Sequence, residues 1–284
     1  MGKTRPSTRG PPGLGGSMFR ARFEREIVTE FMPPARRIRR QRVIVLCDGM
    51  PSIPRKQSLA EFLAAKGYWV FYPRYRGAWE SGGEFLERSP HEDILDVIRG
   101  LRREIREVTF GERFRVRADE VFVIGGSFGG AAALLCSLDQ QVRKVVANCP
   151  VVDWGILRGS EKAETSNPSY AAYIREAWGH GYRLSSRNWE KLRGGRFFNP
   201  TFHVGEISAH KVLMFHAEDD PYVPFKSVVK FSEQTGARLR LFRRGGHLST
   251  DSVVRRYWGE IDRFFSGQSS VIGRQRKTLD RKGR

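Results

Sequence analysis

The stretch "VFVIGGSFGGAAALL" at residues 121–135 constrains the fold more than any other part of the chain. A β-branched apolar run enters it, four glycines surround Ser127, and alanines and leucines leave it. That is the pattern of a buried strand turning sharply into a helix. Such a turn can cradle a phosphate, act as a plain glycine-rich hinge, or seat a nucleophile. A dinucleotide fingerprint needs glycine at the third position of G-x-G-x-x-G, where Ser127 stands, and a P-loop needs Lys-Ser/Thr, where Ala131 and Ala132 stand. Both phosphate readings fail. What matches is G-x-S-x-G over residues 125–129, a nucleophile elbow whose small neighbours let strand, helix and substrate approach closely.

The surrounding chain supplies the right context, because strand-like and helix-like runs alternate and predict βαβ units with a mostly parallel sheet. "FEREIVTEF" (23–31) reads as an edge strand, and "RVIVLCDG" (42–49) as a buried one. A helix follows in "SLAEFLAAKG", capped by serine and ended by glycine, and then the strand "YWVFYPRYRG". Pro90 opens a second helix with acids in its first turn, and "EVFVIGG" and "KVVANCPVV" are further strands around the helix "GGAAALLCSLDQ". Residues 155–206 lose the strand signal and turn helical and aromatic, which predicts a cap over a site. The strand "HKVLMFHAEDD", the helix "PFKSVVKFSEQTG", the strand "ARLRLFRR" and one last helix, "DSVVRRYWGEIDRFFSG", complete the series.

A serine hydroxyl is a weak nucleophile alone, so the elbow reading requires a base and an orienting acid in the order Ser, acid, His. "FHAEDDPYVP" follows the penultimate strand and offers two aspartates. Asp220, with its Asp-x-x-Val-Pro spacing, is the first choice; Asp219 is the second, and the plain alternative is that either caps the next helix. His247, on a glycine-flanked loop before the last helix, is the histidine C-terminal to both, since His91, His180, His203, His210 and His216 come earlier. An oxyanion needs two backbone donors. One candidate is the amide of Phe128; the other lies in "DGMPSIP" after the strand "VIVLC", at Met50 or Gly49.

The net charge of +19 raises the question of an anionic partner. Residues 1–42 carry eleven Lys and Arg against three acids, and residues 268–284 six against one, so +13 of the charge sits at the two ends. No aromatic residue interleaves the C-terminal basic run, so the ends are expected to be solvated tails at 1–17 and 268–284 rather than a nucleic-acid grip. They would flank a single domain at 18–267, and Met18 is an alternative start. No apolar run approaches the ~18–20 residues of a membrane span, and the leader has no apolar core of a secretory signal. Cys47, Cys136 and Cys149 are odd in number, widely spaced and set in apolar stretches, as expected of buried thiols in a cytoplasmic protein. No metal or organic cofactor is expected.

Taken together, "DGMP", "KGYWVFYPRYRG" with "AWESGGEF", "GGSFGG", "NCPVVDW", "HAEDDPYVP" and "GGH" resemble the α/β-hydrolase superfamily. Within it they resemble the catalytic domain of the prolyl-oligopeptidase and acylaminoacyl-peptidase family, over roughly residues 25–265. The resemblance implies Ser127 as nucleophile, Asp220 as acid, His247 as base, and the amides of Met50 and Phe128 as oxyanion donors. Asp48 stands where the family often has histidine. The chain has no room for the family's N-terminal β-propeller, so the resemblance implies an esterase or acyl hydrolase as readily as a peptidase, with a small ester or short peptide as substrate. The rival from another class is a non-catalytic protein that uses this fold as a scaffold and its basic ends to contact nucleic acid or acidic partners.

Overall fold

The hydrophobic run that begins at Arg42 forms strand β3 (Arg42–Cys47), buried along nearly its whole length, as a strand covered on both faces must be. The computed structural model describes residues 18–36, 38–155, 168–193 and 195–267; the expected leader, the expected tail and residues 156–167 of the expected cap lie outside them. Beside β3 lie β4 (Tyr68–Pro73) and β7 (Glu120–Gly126), both fully buried and both parallel to it. β8 (Val142–Asn148), β9 (Val212–Ala217) and β10 (Arg238–Phe242) extend the parallel sheet on one side, with α6 (Phe225–Thr235) between β9 and β10, while β1 (Phe19–Phe23) and β2 (Ile27–Met32) add antiparallel strands on the other. Among the described residues the sheet has the order β1-β2-β4-β3-β7-β8-β9-β10.

Because side chains alternate across a strand, the sheet sorts its apolar residues into two cores. Val43, Val45, Phe71, Val123 and Val145 face α2 (Pro90–Gly100) and α3 (Phe128–Cys136). Ile44, Leu46, Val70, Phe122, Ile124 and Val146 face α1 (Gln57–Ala65) and α8 (Trp258–Ser266), where the Phe122 ring stacks on Phe265 at 4.2 Å. A mostly parallel sheet between two helix layers is the architecture expected of an α/β-hydrolase, and it presents the C-terminal ends of β3, β7, β8 and β9 along one edge.

Several local expectations are corrected. The single edge strand at 23–31 is a hairpin: β1 and β2 pair from Phe23 and Ile27 outward, across a turn with Glu24 and Arg25 at positive φ. The first helix begins after Lys56, not at a serine cap. The last helix is two, α7 (Thr250–Arg256) and α8, broken at Tyr257, whose ring stacks on Phe215 at 5.5 Å. A short pair, β5 (Ile105–Arg106) with β6 (Arg113–Phe114), was not anticipated. The described part of 155–206 is helical, with α4 (Pro168–Trp178) and α5 (Ser186–Glu190), although Tyr182 bridges Ala78 of the body.

Candidate active site

Ser127 sits between β7 and α3 with φ 55° and ψ −119°, a left-handed conformation that costs a non-glycine residue on the order of 1–3 kcal/mol. The turn is held from both sides. Ser127 N donates to Asn148 O at 2.9 Å, and its carbonyl accepts from Gly130 N at 2.9 Å and Val151 N at 3.2 Å. Glycine is required by close approach: a Cβ on Gly125 would lie 2.0 Å from Gly129 O, and one on Gly129 would lie 2.4 Å from the carbonyl oxygens of both Cys47 and Asp48. The sharpness of the bend leaves the Ser127 side chain partly exposed.

Asp220 lies three residues beyond β9. Its Oδ1 accepts from the amides of Tyr222 (2.9 Å) and Val223 (3.0 Å), which turns Oδ2 toward His247 Nδ1 at 2.8 Å, and its side chain is 0% exposed. Burial pushes the carboxyl pKa up, but the hydrogen bond and charge of His247 and the two amides outweigh it, so the pKa is held below the usual carboxylate value. Asp219 points the other way, stays exposed, and accepts from Gly246 N at 2.8 Å, so it shapes the His247 loop without touching the imidazole. Gly246 adopts φ 58° in that loop, a conformation that favours glycine.

The His247 loop meets the elbow through Asn148 and Thr250. Asn148 Nδ2 donates to Leu248 O at 2.6 Å, and a Cβ on Gly126 would lie 2.0 Å from Thr250 Oγ1. Ser127 and His247 share this corner but are not hydrogen-bonded to each other; in serine enzymes such a contact commonly tightens when substrate binds.

The loop after β3 passes beside the serine, since a Cβ on Gly49 would lie 3.9 Å from Ser127 Cβ. Its amides separate the two oxyanion candidates. Gly49 N donates to Asp48 Oδ1 at 3.0 Å and Ser52 N to Tyr182 Oη at 3.0 Å, whereas Met50 N has no acceptor among the described residues, and neither does Phe128 N at the start of α3. Met50 and Phe128 therefore offer the free donors.

Sequence reasoning missed what surrounds these groups. Asp48 is buried and accepts from Ser52 Oγ at 2.5 Å and from Tyr72 Oη, with Lys56 Nζ at 3.4 Å. Its only sequence signal was its departure from the family's histidine. Behind Asp220, Cys149 and His216 are buried, and one ligand-type atom from each of the three residues falls within 4.8 Å of the others. This is the group among the described residues with metal-like spacing, but His247 and two amides already occupy the Asp220 carboxylate, and His216 Nε2 bonds Val223 O at 3.1 Å. Burial, with the Asp220 charge second, raises the Cys149 thiol pKa far above its usual value. All three cysteines are free and buried, as expected.

The aromatics expected in the cap pack more than they line. Trp189 and Tyr182 are buried, and Trp178 meets Trp79 and Tyr182 edge-on, each at 6.3 Å. Tyr173 is exposed, and the Tyr170 side chain lies outside the described residues.

A model of the prolyl oligopeptidase family matches residues 55–266. Among solved structures, the chain is similar to an acylaminoacyl peptidase of Pyrococcus horikoshii, with 18% identity and a TM-score of 0.62, over 90% of this chain and 42% of that one. An esterase of Pyrococcus furiosus aligns with 17% identity and a TM-score of 0.62, over 88% of this chain and 90% of the esterase. Est1E from Butyrivibrio proteoclasticus aligns with 15% identity and a TM-score of 0.58, over 86% and 99%. The chain thus spans less than half the length of the peptidase and nearly all of the Butyrivibrio protein. At these identities the likeness to solved structures carries the fold.

Proposed function

The chain belongs to the prolyl oligopeptidase family, and on that premise we propose that it is a serine hydrolase cleaving a carboxylic ester or a small amide or peptide bond. The observation that carries this reading is the 2.8 Å contact between His247 Nδ1 and the buried Asp220 carboxylate, in chain order behind a strained serine on a glycine-walled elbow. A scaffold that only binds would have no need of a serine kept in that conformation or of a carboxylate buried against a histidine.

The chemistry follows from the groups. Asp220 holds the proton on Nδ1, so Nε2 is left as the base that takes the Ser127 hydroxyl proton. Oγ attacks the acyl carbon, and the carbonyl oxygen becomes an oxyanion received by the amides of Met50 and Phe128. Collapse breaks the bond to the alcohol or amine, which leaves with the proton from His247, and the acyl group stays on Ser127. A water then loses its proton to His247, attacks the acyl carbon and releases the acid, restoring the serine. No metal or organic cofactor takes part in these steps.

The likeness to a Pyrococcus furiosus esterase of matching length favours small esters, and membership of the prolyl oligopeptidase family supports short peptides beside them. We place the activity in the cytoplasm, since three buried free thiols suit a reducing compartment. Among the described residues no helix is long and apolar enough to cross a membrane. The reading also takes residues 18–267 as one domain with a cap at 155–206.

The test is a panel of p-nitrophenyl esters and peptide p-nitroanilides under pre-steady-state conditions. The expected result is turnover of at least one class with a burst of product, and loss of that turnover by roughly 10³-fold or more in Ser127→Ala. Turnover that survives the substitution overturns the reading.

A further inference from the structure

Asp48 is a buried carboxylate one residue from the amide of Gly49 and two from that of Met50, on a loop that every neighbour holds. Its Oδ1 accepts from Gly49 N at 3.0 Å and lies 3.4 Å from Lys56 Nζ. Its Oδ2 accepts from Ser52 Oγ at 2.5 Å and from Tyr72 Oη. Its main-chain oxygen accepts from Tyr75 Oη at 3.1 Å. Ser52 in turn donates its amide to Tyr182 Oη at 3.0 Å and accepts from Trp79 Nε1 at 3.1 Å, so the far end of the loop is tied to the cap. Burial first, and the Asp48 charge second, raise the Tyr72 phenol pKa far above its usual value, so it stays a donor at every working pH.

The consequence is a division of the loop's amides. Over Gly49–Ser52 two are consumed, Pro51 has none, and the Met50 amide is the one without an acceptor among the described residues. A carboxylate this close to an oxyanion would oppose it if its charge were bare, because a charge in a partly buried site acts over several ångströms. Here three neutral donors and the Lys56 ammonium surround it.

We propose that Asp48, with Lys56 as its counter-ion, is the positioning residue of the oxyanion loop: it consumes the Gly49 amide and pins Ser52 and Tyr72, so that the Met50 amide faces the acyl oxygen. The proposal rests on the serine-hydrolase reading above. It makes Asp48 a functional departure from the family's histidine, acting through Met50 and not by touching substrate. Asparagine keeps the shape but not the charge or the acceptors: with its oxygen toward Gly49 and Lys56, its NH₂ group meets two hydroxyls that must turn from donor to acceptor, and Lys56 loses its counter-ion.

The experiment compares wild type with Asp48→Asn, Tyr72→Phe and Lys56→Met on an ester and on its thionoester, where sulfur is a weak hydrogen-bond acceptor and draws little on the hole. Melting temperatures are measured alongside. The expected result for Asp48→Asn is a kcat lower by about 10- to 100-fold, below the roughly 10²–10³ of deleting a hole donor outright, with KM near wild type. Tyr72→Phe and Lys56→Met give smaller losses of the same kind. The oxo-to-thiono rate ratio falls by about the same factor as kcat in each variant, which a merely structural lesion would not produce. Folded variants that keep the wild-type ratio and kcat overturn the proposal while leaving the hydrolase reading intact. If Asp48→Asn does not fold, Tyr72→Phe and Lys56→Met decide. A folded wild type that turns over no substrate and takes no fluorophosphonate overturns the hydrolase reading, and this proposal with it.

Discussion

Replacing Asp220 by asparagine is expected to reduce kcat by about 10³-fold or more, while the same change at Asp219 leaves it within a few-fold of wild type. The two residues are adjacent, yet their surroundings differ in every respect that sets the magnitude. The Asp220 side chain is fully buried and lies 2.8 Å from His247 Nδ1, so in the proposed mechanism its charge stabilises the imidazolium that forms as Ser127 loses its proton. A unit charge about 4 Å from another at an effective dielectric near 20 is worth about 4 kcal/mol, or roughly three decades in rate. Asparagine also offers an NH₂ group that favours the wrong imidazole tautomer, and the same exchange in a serine protease triad costs roughly 10⁴-fold. Asp219 is exposed and contributes one hydrogen bond to Gly246 N, which an asparagine oxygen can still accept. The fold should survive both changes, since the Tyr222 and Val223 amides need only an oxygen at position 220. The assay is steady-state kcat and KM on one activated ester, with circular dichroism to confirm folding. Comparable losses for the two variants, or a larger loss at Asp219, would refute the assignment.

Other consequences can be checked independently. Gly129→Ala should cost both stability and activity, on the order of 2 kcal/mol or more, because its Cβ would press on two main-chain oxygens at 2.4 Å; Gly259→Ala, in α8 with nothing within 4 Å, should instead add about 0.5–1 kcal/mol and leave activity unchanged, both read by urea denaturation. Burial lowers the His91 pKa to about 4 against an unfolded value near 6.5, so the unfolded chain binds the extra proton first and stability falls as pH drops through that interval. The change is about 2 kcal/mol between pH 7 and pH 5, and His91→Gln should remove it; an equal acid slope in the variant would contradict the buried neutral state. Arg76 binds Asp93, Asp96 and Glu26, and Asp93 is already raised to about 6 by burial. Arg76→Met should therefore cost about 3–5 kcal/mol, and more at pH 8 than at pH 5, where Asp93 can take a proton; a pH-independent loss would count against that carboxylate as the source.

The elbow was legible because its requirements are steric and local: glycines wherever a Cβ would strike a main-chain oxygen, and one serine at the bend. The alternation of strands and helices was legible for the same reason, since each buried run matches one element. The choice between Asp219 and Asp220 was legible only as a preference from the Asp-x-x-Val-Pro spacing, because it depends on which way the chain turns after Ala217. That turn is fixed by the Asp220 oxygen accepting from two downstream amides. The β1–β2 hairpin was hidden because Glu24 and Arg25, which adopt positive φ there, are not residues that announce a turn. The break at Tyr257 was likewise hidden, since tyrosine carries no turn signal, and its ring packs against Phe215 and Phe242. Asp48 could be noticed only as an exception, because its partners Tyr72 and Ser52 reach it from a neighbouring strand and from four residues on.

The central claim is a covalent intermediate on Ser127, and the direct measurement is intact-protein and peptide mass spectrometry after exposure to a fluorophosphonate. Wild type should gain one phosphonyl group, mapped to the peptide carrying Ser127, and folded Ser127→Ala should gain none. A folded wild type that stays unlabelled, or that is labelled at another residue, would contradict the account.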